Sequence, residues 1–347
     1  MADTKYTIVG MSSSGKTCFL TAMYMRMATG VDGFTLWTTE DTRRKYERDI
    51  LALRKGEAGL DRFPAATPNA ENATKLYEFR LIYDTKDIIS FDVIDYAGGA
   101  LLDGGPVYCQ LKLSMEESTA MFIFIDGASL CDEDRTARKE NVYYDCAMSV
   151  TPMIQDFADS HNGQLPPIVF VVTKSDLCKA YIKDETELVQ IIRDLFSPAF
   201  SEGSVSYICA VSLGDSISDD GYKGRFSPVN IHIPLFLGSF HEYYNRCLAF
   251  KEKIETANQN LDMQRNRKMA EVEKEKQKWP IFRSKKLIDQ CIESAKNSAK
   301  SLHSNQELLA ATQALYTRFG AQLEMESKNF KSFINGVEQP AFKPPRL

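Results

Sequence analysis

The feature that most constrains this chain is a short stretch near its start, GMSSSGKT at residues 10–17. Its spacing, G-x-x-x-x-G-K-T, places two glycines around a turn that ends in a lysine and a threonine. An apolar run, YTIV, precedes the stretch, and KTCFLTAMYMRMAT, which has helical spacing, overlaps its end. Backbone N–H groups in such a strand–loop–helix unit surround phosphate oxygens, and the helix dipole adds to the attraction. We therefore predict a phosphate-binding loop here and not a plain serine-rich turn.

The side chains of this loop have separate predicted roles. Lys16 would reach the terminal phosphates, which makes it a candidate catalytic residue, and the Thr17 hydroxyl would hold Mg²⁺. The residues expected to contact the phosphates are Gly10, Ser12, Ser13, Ser14, Gly15, Lys16, Thr17 and Cys18.

The composition narrows the remaining possibilities. No stretch reaches the roughly 18 uninterrupted apolar residues of a membrane span, and the first residues, MADTKY, do not have the pattern of a secretory signal. The eight cysteines are scattered without a Cys-x-x-Cys pair, and the four histidines lack ligand spacing. We therefore expect a cytoplasmic protein with no disulfide framework or zinc site, in which any metal is bound through oxygen atoms.

Apolar runs alternate with helical segments over the first 240 residues. Residues 77–84 and 88–95 are predicted to be two strands joined by the turn TKD, which favours antiparallel pairing. AMFIFID, PIVFVVTKSD and VSYICAVS are continuous apolar runs typical of buried parallel strands. Helices are predicted at 107–117, 136–159 and 185–196, and at Thr38–Glu57 with Tyr46, Ile50 and Leu53 on one face. This pattern predicts a doubly wound α/β fold with a mostly parallel sheet and one antiparallel edge strand. Together with residues 10–17, the fold resembles that of P-loop NTPases.

The last third of the chain differs in composition from the rest. From residue 240 onward there are 19 Lys and Arg and 13 Asp and Glu, whereas the preceding residues are net acidic. Helices are predicted over about 240–278 and 283–336, separated by Pro280, and would together form a long α-helical hairpin. The second helix would carry an apolar stripe of Ile288, Cys291, Ala295, Ala299, Leu302, Leu309, Tyr316, Phe319, Leu323, Phe330 and Phe333. The predicted domains are 1–240, with a helical insertion at about 36–60, a helical arm at 241–340 and a tail at 341–347.

A second motif follows the strand that ends at residue 95. Asp95 begins the sequence Asp-Tyr-Ala-Gly directly after the apolar run ISFDVI. An acidic group at the end of a strand beside a phosphate-binding loop orders the shell of Mg²⁺. The backbone amide of Gly98 would sense the terminal phosphate.

A third motif lies at the end of the apolar run PIVFVVTKSD. VVTKSD, at residues 171–176, resembles the [N/T]-K-x-D motif that reads guanine. In that motif the Asp176 carboxylate would accept hydrogen bonds from the guanine ring N–H and exocyclic amine. Lys174 would lie along the base, and Thr173 would tie its loop to the phosphate-binding loop. The last of the apolar runs ends in AVSLG, whose Ser212 and Leu213 would back the base.

The three motifs in this order resemble those of TRAFAC-class GTPases built on a Ras-like domain, over about residues 5–250. The resemblance implies GTP or GDP as the bound nucleotide, with Mg²⁺ held by Thr17 and Asp95. Adenine has an acceptor where guanine has its ring N–H, so Asp176 would also disfavour ATP. The layout, with a helical insertion and C-terminal helices, is similar to that of bacterial double-GTPases and broadly to that of dynamin-like proteins.

Several departures from the family pattern bear on hydrolysis. The switch threonine that contacts Mg²⁺ in the GTP state is either Thr67, in FPAATP, or Thr74, and Thr67 is the favoured catalytic candidate. Gly99 stands where many Ras-like enzymes have the glutamine that orients the attacking water. Unaided hydrolysis should therefore be slow, or be completed by a residue from a partner. Ser12 and Ser13 replace glycines common in small GTPases, and would either crowd an arginine finger or hydrogen-bond the phosphate.

The stretch KEKQKWPIFRSKK, residues 274–286, lies at the predicted tip of the hairpin. Its basic residues together with Trp279, Ile281 and Phe282 would suit a weak contact with an anionic membrane surface. The alternative, which we favour, is that the aromatic residues close the core of the hairpin itself. Nucleic acid is not an expected partner, because the basic residues are not interleaved with stacking aromatics along a face.

The sequence thus predicts a GTP-binding protein with slow or partner-stimulated hydrolysis, acting as a nucleotide-dependent switch. Loops around 60–75 and 96–106 would become ordered with GTP. The helical arm would carry the output, through a protein partner or self-association. One alternative is a scaffold that holds nucleotide without turnover, and another is a dynamin-like membrane-associated GTPase.

Overall fold

The computed structural model describes residues 4–55, 62–64, 75–95, 106–215, 217, 224–276 and 285–347. The chain divides into two compact units. One consists of Met1–His241 with Gln322–Lys343, and the other of Glu242–Ala321 with Pro344–Leu347.

The first unit is built on a single mixed sheet. Its strands are β1 (Thr4–Val9), β2 (Phe34–Thr38), β3 (Lys75–Tyr83), β4 (Lys86–Asp95), β5 (Ala120–Asp126), β6 (Ile168–Thr173), β7 (Val205–Ala210), β8 (Phe330–Ile334) and β9 (Val337–Glu338). They lie in the order β2-β3-β4-β1-β5-β6-β7-β8-β9. The central strands from β4 to β7 are parallel neighbours, whereas β2, β3, β8 and β9 extend both edges by antiparallel pairing. The α/β class with a largely parallel sheet is confirmed, as is the antiparallel pairing across the turn TKD.

Helices connect the strands and continue beyond them. They are α1 (Lys16–Ala28), α2 (Glu40–Lys55), α3 (Pro106–Glu116), α4 (Arg135–Val142), α5 (Met148–Ser160), α6 (Ser175–Cys178), α7 (Glu185–Leu195), α8 (Ile233–Lys276) and α9 (Lys285–Met325). A π-helical turn at Tyr143–Ala147 joins α4 to α5. In the part of the chain that the structure describes, no helix is both long and apolar enough to cross a membrane.

The core lies on both faces of the central strands, because successive side chains of a strand point to opposite faces. On one face, Ile123 of β5 and Phe170 of β6 belong to a buried cluster with residues of α3, α5 and α7. On the other face, Phe124 of β5 contacts Phe19 of α1, with ring centroids 5.1 Å apart. The strands β5 and β6 are buried along almost their whole length. They therefore form a rigid base for the loops that follow them.

The predicted helical insertion at about 36–60 is only partly correct. Residues 34–38, FTLWT, form strand β2, which pairs with β3, and helix α2 begins at Glu40. A run of aromatic and β-branched residues favours an extended backbone. The sheet therefore has two strands beyond β4 at this edge, not the single antiparallel edge strand that the sequence predicted.

The predicted helix over 283–336 is wrong beyond Met325. Phe330 and Phe333 lie in strand β8, which pairs antiparallel with β7. A turn with positive φ at Asn335 and Gly336 then leads into β9. Asn-Gly is the strongest short-range signal for a tight hairpin, because both positions tolerate the left-handed backbone. The segment 326–340 therefore completes the sheet and does not belong to a helical arm.

The second unit contains the long parts of α8 and α9. Tyr243 and Phe319 stack with ring centroids 5.7 Å apart, and Tyr244 and Tyr316 lie 5.9 Å apart. The hydroxyl of Tyr316 donates to the carbonyl of Pro345 at 2.6 Å. The C-terminal helices are thus present, whereas the predicted tip with Trp279, Pro280, Ile281 and Phe282 lies outside the described residues.

The β8–β9 turn can be tested with two glycines of similar backbone conformation. A Cβ at Gly336 would lie 2.1 Å from the carbonyl oxygen of Phe200, whereas a Cβ at Gly163 would meet nothing within 4 Å. Both glycines have positive φ, so both alanine variants carry backbone strain. We expect Gly163→Ala to lower the free energy of unfolding by about 1 kcal/mol and Gly336→Ala by about 3 kcal/mol. Urea unfolding followed by circular dichroism measures both, and equal losses would contradict the observed contact.

Candidate functional site

The loop between β1 and α1 is shaped by two glycines. Gly10 is buried, and a Cβ there would lie 2.8 Å from the Cβ of Phe124 and 2.9 Å from Ser14 Oγ. Gly15 has φ of 85° and forms the N-cap of α1 without a side-chain cap. The first-turn N–H groups of a helix lack partners within the helix and attract anions. Residues 10–17 are the predicted phosphate-binding loop, and their geometry is compatible with an anion at the beginning of α1.

Lys16 lies on this loop with its side chain turned toward the loop backbone. Its Nζ donates to the carbonyl oxygens of Gly10 at 2.7 Å and Met11 at 2.8 Å, and the residue is only 7% exposed. Ser14 Oγ donates to the Met11 carbonyl at 2.8 Å, whereas Ser12 and Ser13 are exposed. The loop therefore concentrates positive charge at the beginning of α1.

The loop after β6 is fastened directly to the phosphate-binding loop. Thr173 is buried, and its Oγ1 donates to the carbonyl oxygen of Ser14 at 2.9 Å, with the carbonyl oxygen of Ile125 at 3.3 Å. A Cβ at Gly15 would lie 3.4 Å from the Thr173 side chain. This is the link between the two motifs that the resemblance implied, and it fixes their separation.

The residues after Thr173 are held by the neighbouring strands. Lys174 adopts a left-handed backbone with φ of 48°, and its Nζ donates to Asp126 Oδ2 at 2.6 Å. The backbone N–H of Ser175 donates to the carbonyl of Val211 at 3.1 Å. These contacts hold the backbone on either side of the start of α6, and Asp176 lies in the first turn of that helix.

Asp126 and Gly127 belong to this site, although no motif singled them out. Asp126 ends β5, and its carboxylate accepts from the N–H of Ala128 as well as from Lys174. A Cβ at Gly127 would lie 2.2 Å from the carbonyl oxygen of Thr173, so only glycine fits. The available signal was an Asp-Gly pair directly after a buried strand that precedes TKSD.

Burial dominates the pKa of the cysteines near the site. Burial raises the pKa of Cys18 to about 11, while the nearby Lys174 lowers it by a smaller amount. Burial also raises the pKa of Cys178 to about 11, with smaller contributions from Cys131 and Asp176. Thiols with such pKa values are not nucleophiles at neutral pH. If Cys18 contacts a phosphate, it would therefore do so through its backbone N–H and not through its thiol.

Ser212 and Leu213 follow β7 at the same edge of the sheet. Ser212 is buried, and its backbone pairs with Val229 through bonds of 3.3 and 2.9 Å. The N–H of Ser227 donates to the carbonyl of Leu213 at 2.8 Å. The loop after β7 is therefore closed at its base and lies beside the TKSD loop.

Asp95 is the last residue of β4, and Thr17 is the second residue of α1. Strand β4 pairs parallel with β1, with Thr7 opposite Ile94, so the chain leaves both strands at the same edge. Thr17 and Asp95 both supply oxygen, the donor that Mg²⁺ prefers. Among the described residues, no three His, Cys, Asp or Glu side chains group as a metal site.

The remaining predicted site residues cannot be placed. Thr67, Thr74, Gly98 and Gly99 lie outside the described residues. The loops after β1, β6 and β7 and the end of β4 lie at the same edge of the sheet, because the carboxyl ends of parallel strands meet there. This edge is the usual ligand position in open α/β sheets. This edge combines an anion-binding loop with a polar loop rigidly attached to it.

Comparison with known proteins agrees with this geometry. The family model of Double-GTPase 2 matches residues 7–221, more than half of the 347 residues. No curated protein matches the chain. Among solved structures, a chain of the signal recognition particle receptor SRb-GTP/SRX complex from Chaetomium thermophilum is 15% identical. The match covers 56% of this chain and 80% of that chain, with a TM-score of 0.29. The family of this chain is shown by the match to the Double-GTPase 2 model.

The hydroxyl of Thr173 can be removed without changing the shape of the side chain. Thr173→Val leaves the buried carbonyl of Ser14 without its donor. We expect the free energy of unfolding to fall by about 1–2 kcal/mol. Thr35→Val, on strand β2, is the matched control and should change it by no more than about 0.5 kcal/mol. A loss no greater than that of the control, in urea unfolding, would show that the two loops are not joined by this bond.

Proposed function

The chain belongs to the Double-GTPase 2 family, whose model matches residues 7–221, and on that premise we propose that it binds GTP and hydrolyses it slowly or with a partner's help. Family membership supports a GTP-binding protein with GTPase activity in general. The observation that supports the specific proposal is the bond from Thr173 to Ser14, since it joins the loop proposed to bind phosphate to the loop proposed to read the base.

The phosphate-binding loop would hold the nucleotide by its backbone and by Lys16. The first-turn N–H groups of α1 would attract the phosphates. Gly10 lets the loop backbone pack closely against Phe124 of β5, because no side chain fits there. The Lys16 ammonium, now bonded to the carbonyls of Gly10 and Met11, would exchange these contacts for β- and γ-phosphate oxygens. Its charge would stabilise the negative charge on the γ-phosphate in the transition state.

Guanine would be selected by Asp176. The ring N–H and the exocyclic amine of guanine are two adjacent donors, and a carboxylate offers two acceptors. Lys174, held by Asp126 at 2.6 Å, would cover one face of the base with its aliphatic stem. Ser212 and Leu213, in the loop after β7, would back the base.

Thr17 and Asp95 would hold Mg²⁺, through the hydroxyl of one and the carboxylate of the other. Bound there, Mg²⁺ neutralises charge on the phosphate oxygens. A switch threonine, Thr67 or Thr74, is proposed to contact the same ion in the GTP state. Gly98 is proposed to contact the γ-phosphate through its amide.

The proposed slow rate follows from Gly99, which has no side chain to orient the attacking water. A partner, or a second copy of this chain, would then complete the site. We propose that the unit containing Glu242–Ala321 is the output element, and that the first unit is the GTPase domain. A nucleotide-locked scaffold is the second candidate, and Gly99 is the residue that favours it. A dynamin-like role with membrane contact at residues 279–282 is the third.

The selection of guanine by Asp176 can be tested with a substitution that should favour xanthine instead. Asp176→Asn replaces two acceptors with one acceptor and one donor, which matches xanthine, whose C2 carries a carbonyl. We expect the variant to bind GTP at least about 100-fold more weakly and to gain binding of xanthosine triphosphate. Asp159→Asn, on the exposed face of α5, should leave both affinities unchanged. Fluorescence competition measures them, and a variant that keeps its preference for GTP would contradict the role of Asp176.

Turnover distinguishes the candidate functions. We expect GTP hydrolysis of about 10⁻³ s⁻¹ per molecule at low protein concentration, and no comparable ATP hydrolysis. A rate per molecule that rises across a hundredfold range of concentration would indicate completion of the site by a second copy. Tight GTP binding without turnover at any concentration would favour the nucleotide-locked scaffold over the proposed enzyme.

A further inference from the structure

A buried arginine joins helix α2 to the loop that follows β7. Arg62 is only 3% exposed, and its guanidinium group donates to three backbone carbonyls from two separate parts of the chain. Its Nε donates to Leu53 at 2.8 Å, its Nη2 to Gly224 at 2.7 Å and its Nη1 to Ile217 at 3.5 Å. A planar guanidinium with donors in fixed directions suits such a three-way junction, and an ammonium does not.

The first of these bonds anchors Arg62 to a fixed element. Leu53 is in the last turn of α2, where backbone carbonyls lack partners within the helix. The helix itself is packed firmly, because Tyr46 is fully buried against Tyr24 of α1 and Phe79 of β3, with ring centroids 5.4 and 6.3 Å away. Arg62 is therefore hydrogen-bonded to a well-packed helix, which itself contacts α1 through Tyr46 and Tyr24.

The other two bonds reach the loop that begins with Ser212 and Leu213. The loop is narrow at its base, where Leu213 pairs with Ser227. A Cβ at Gly214 would lie 2.1 Å from the carbonyl oxygen of Arg225, so the two ends of the loop cross at contact distance. Arg62 bonds to Ile217 and Gly224, between those two ends. Movement of Ile217 or Gly224 away from Arg62 therefore breaks a hydrogen bond from a charged, buried side chain.

We propose that Arg62 is a positioning residue that braces the loop after β7 against α2 and thereby slows the release of the guanine base. This inference deepens the proposed function and rests on it, since Ser212 and Leu213 are the residues proposed to back the base. It also gives helix α2 a role, namely a fixed support for the base side of the site.

The rate of nucleotide release tests the brace. Arg62→Met removes all three donors. Arg62→Lys keeps the charge but cannot donate to three carbonyls in these directions. We expect N-methylanthraniloyl-GDP, displaced by excess GDP in stopped-flow fluorescence, to leave Arg62→Met about tenfold faster than the unmodified protein. Arg62→Lys should give an intermediate rate, and it decides the question if Arg62→Met does not fold.

Two controls separate bracing from general loss of stability. Arg54→Met removes an exposed arginine from the last turn of α2, and Ile192→Ala opens the core in α7, away from this loop. Both should release the probe at the unmodified rate below their melting temperatures. Release from the Arg62 variants at the rate of the unmodified protein, or no faster than from Ile192→Ala, would overturn the proposal.

Hydrogen exchange without nucleotide makes failure of the brace distinguishable from failure of GTP binding. The amides of Ser227 and Val229 are bonded to the loop base, and they should exchange about tenfold faster in Arg62→Met, because opening becomes easier. If the unmodified protein binds no guanine nucleotide while this exchange still rises, the proposed function fails and the brace stands as a structural contact. Unchanged exchange in both Arg62 variants would overturn the brace itself.

Discussion

The site depends on the hydrogen bond from the buried Thr173 hydroxyl to the Ser14 carbonyl, 2.9 Å long. It joins two loops that are 159 residues apart in the chain but leave their strands at the same edge of the sheet. Gly127 strengthens the junction, because its hydrogen lies against the carbonyl of Thr173 where no side chain fits. A nucleotide is a rigid base and a charged phosphate chain at a nearly fixed separation. A protein that reads both ends needs such a fixed distance between its loops.

Much of this edge could be predicted from the sequence, since each motif combines a buried strand with a polar turn. The spacing of Gly10, Gly15 and Lys16 predicts a loop between a strand and a helix, and the structure has this loop between β1 and α1. The ion pair of Lys174 with Asp126 could not be predicted, because it depends on β5 and β6 being neighbours. Arg62 was missed for a different reason. Its partners are backbone carbonyls, which leave no pattern of residue types.

The C-terminal segment shows where periodicity is ambiguous. Phe330 and Phe333 are three residues apart, which fits one face of a helix, yet both lie in β8. In a strand they point to opposite faces, and both are buried because each face is covered. Phe330 approaches Tyr207 and Phe333 approaches Phe200, with ring centroids 6.0 and 5.1 Å apart. A strand buried on both sides thus produced a helical spacing, and the Asn-Gly turn after it was the better signal.

We propose that one edge of this sheet binds a guanine nucleotide through both its phosphates and its base. Isothermal titration of the unmodified protein with GDP and with ADP, in the presence of Mg²⁺, tests this claim most directly. We expect one GDP to bind per chain and the affinity for ADP to be at least about 100-fold lower, since Asp176 would meet an acceptor of adenine where guanine has a donor. Equal affinities would contradict the role of the TKSD loop. Absence of binding by both nucleotides would contradict the role of the phosphate-binding loop, and the whole account with it.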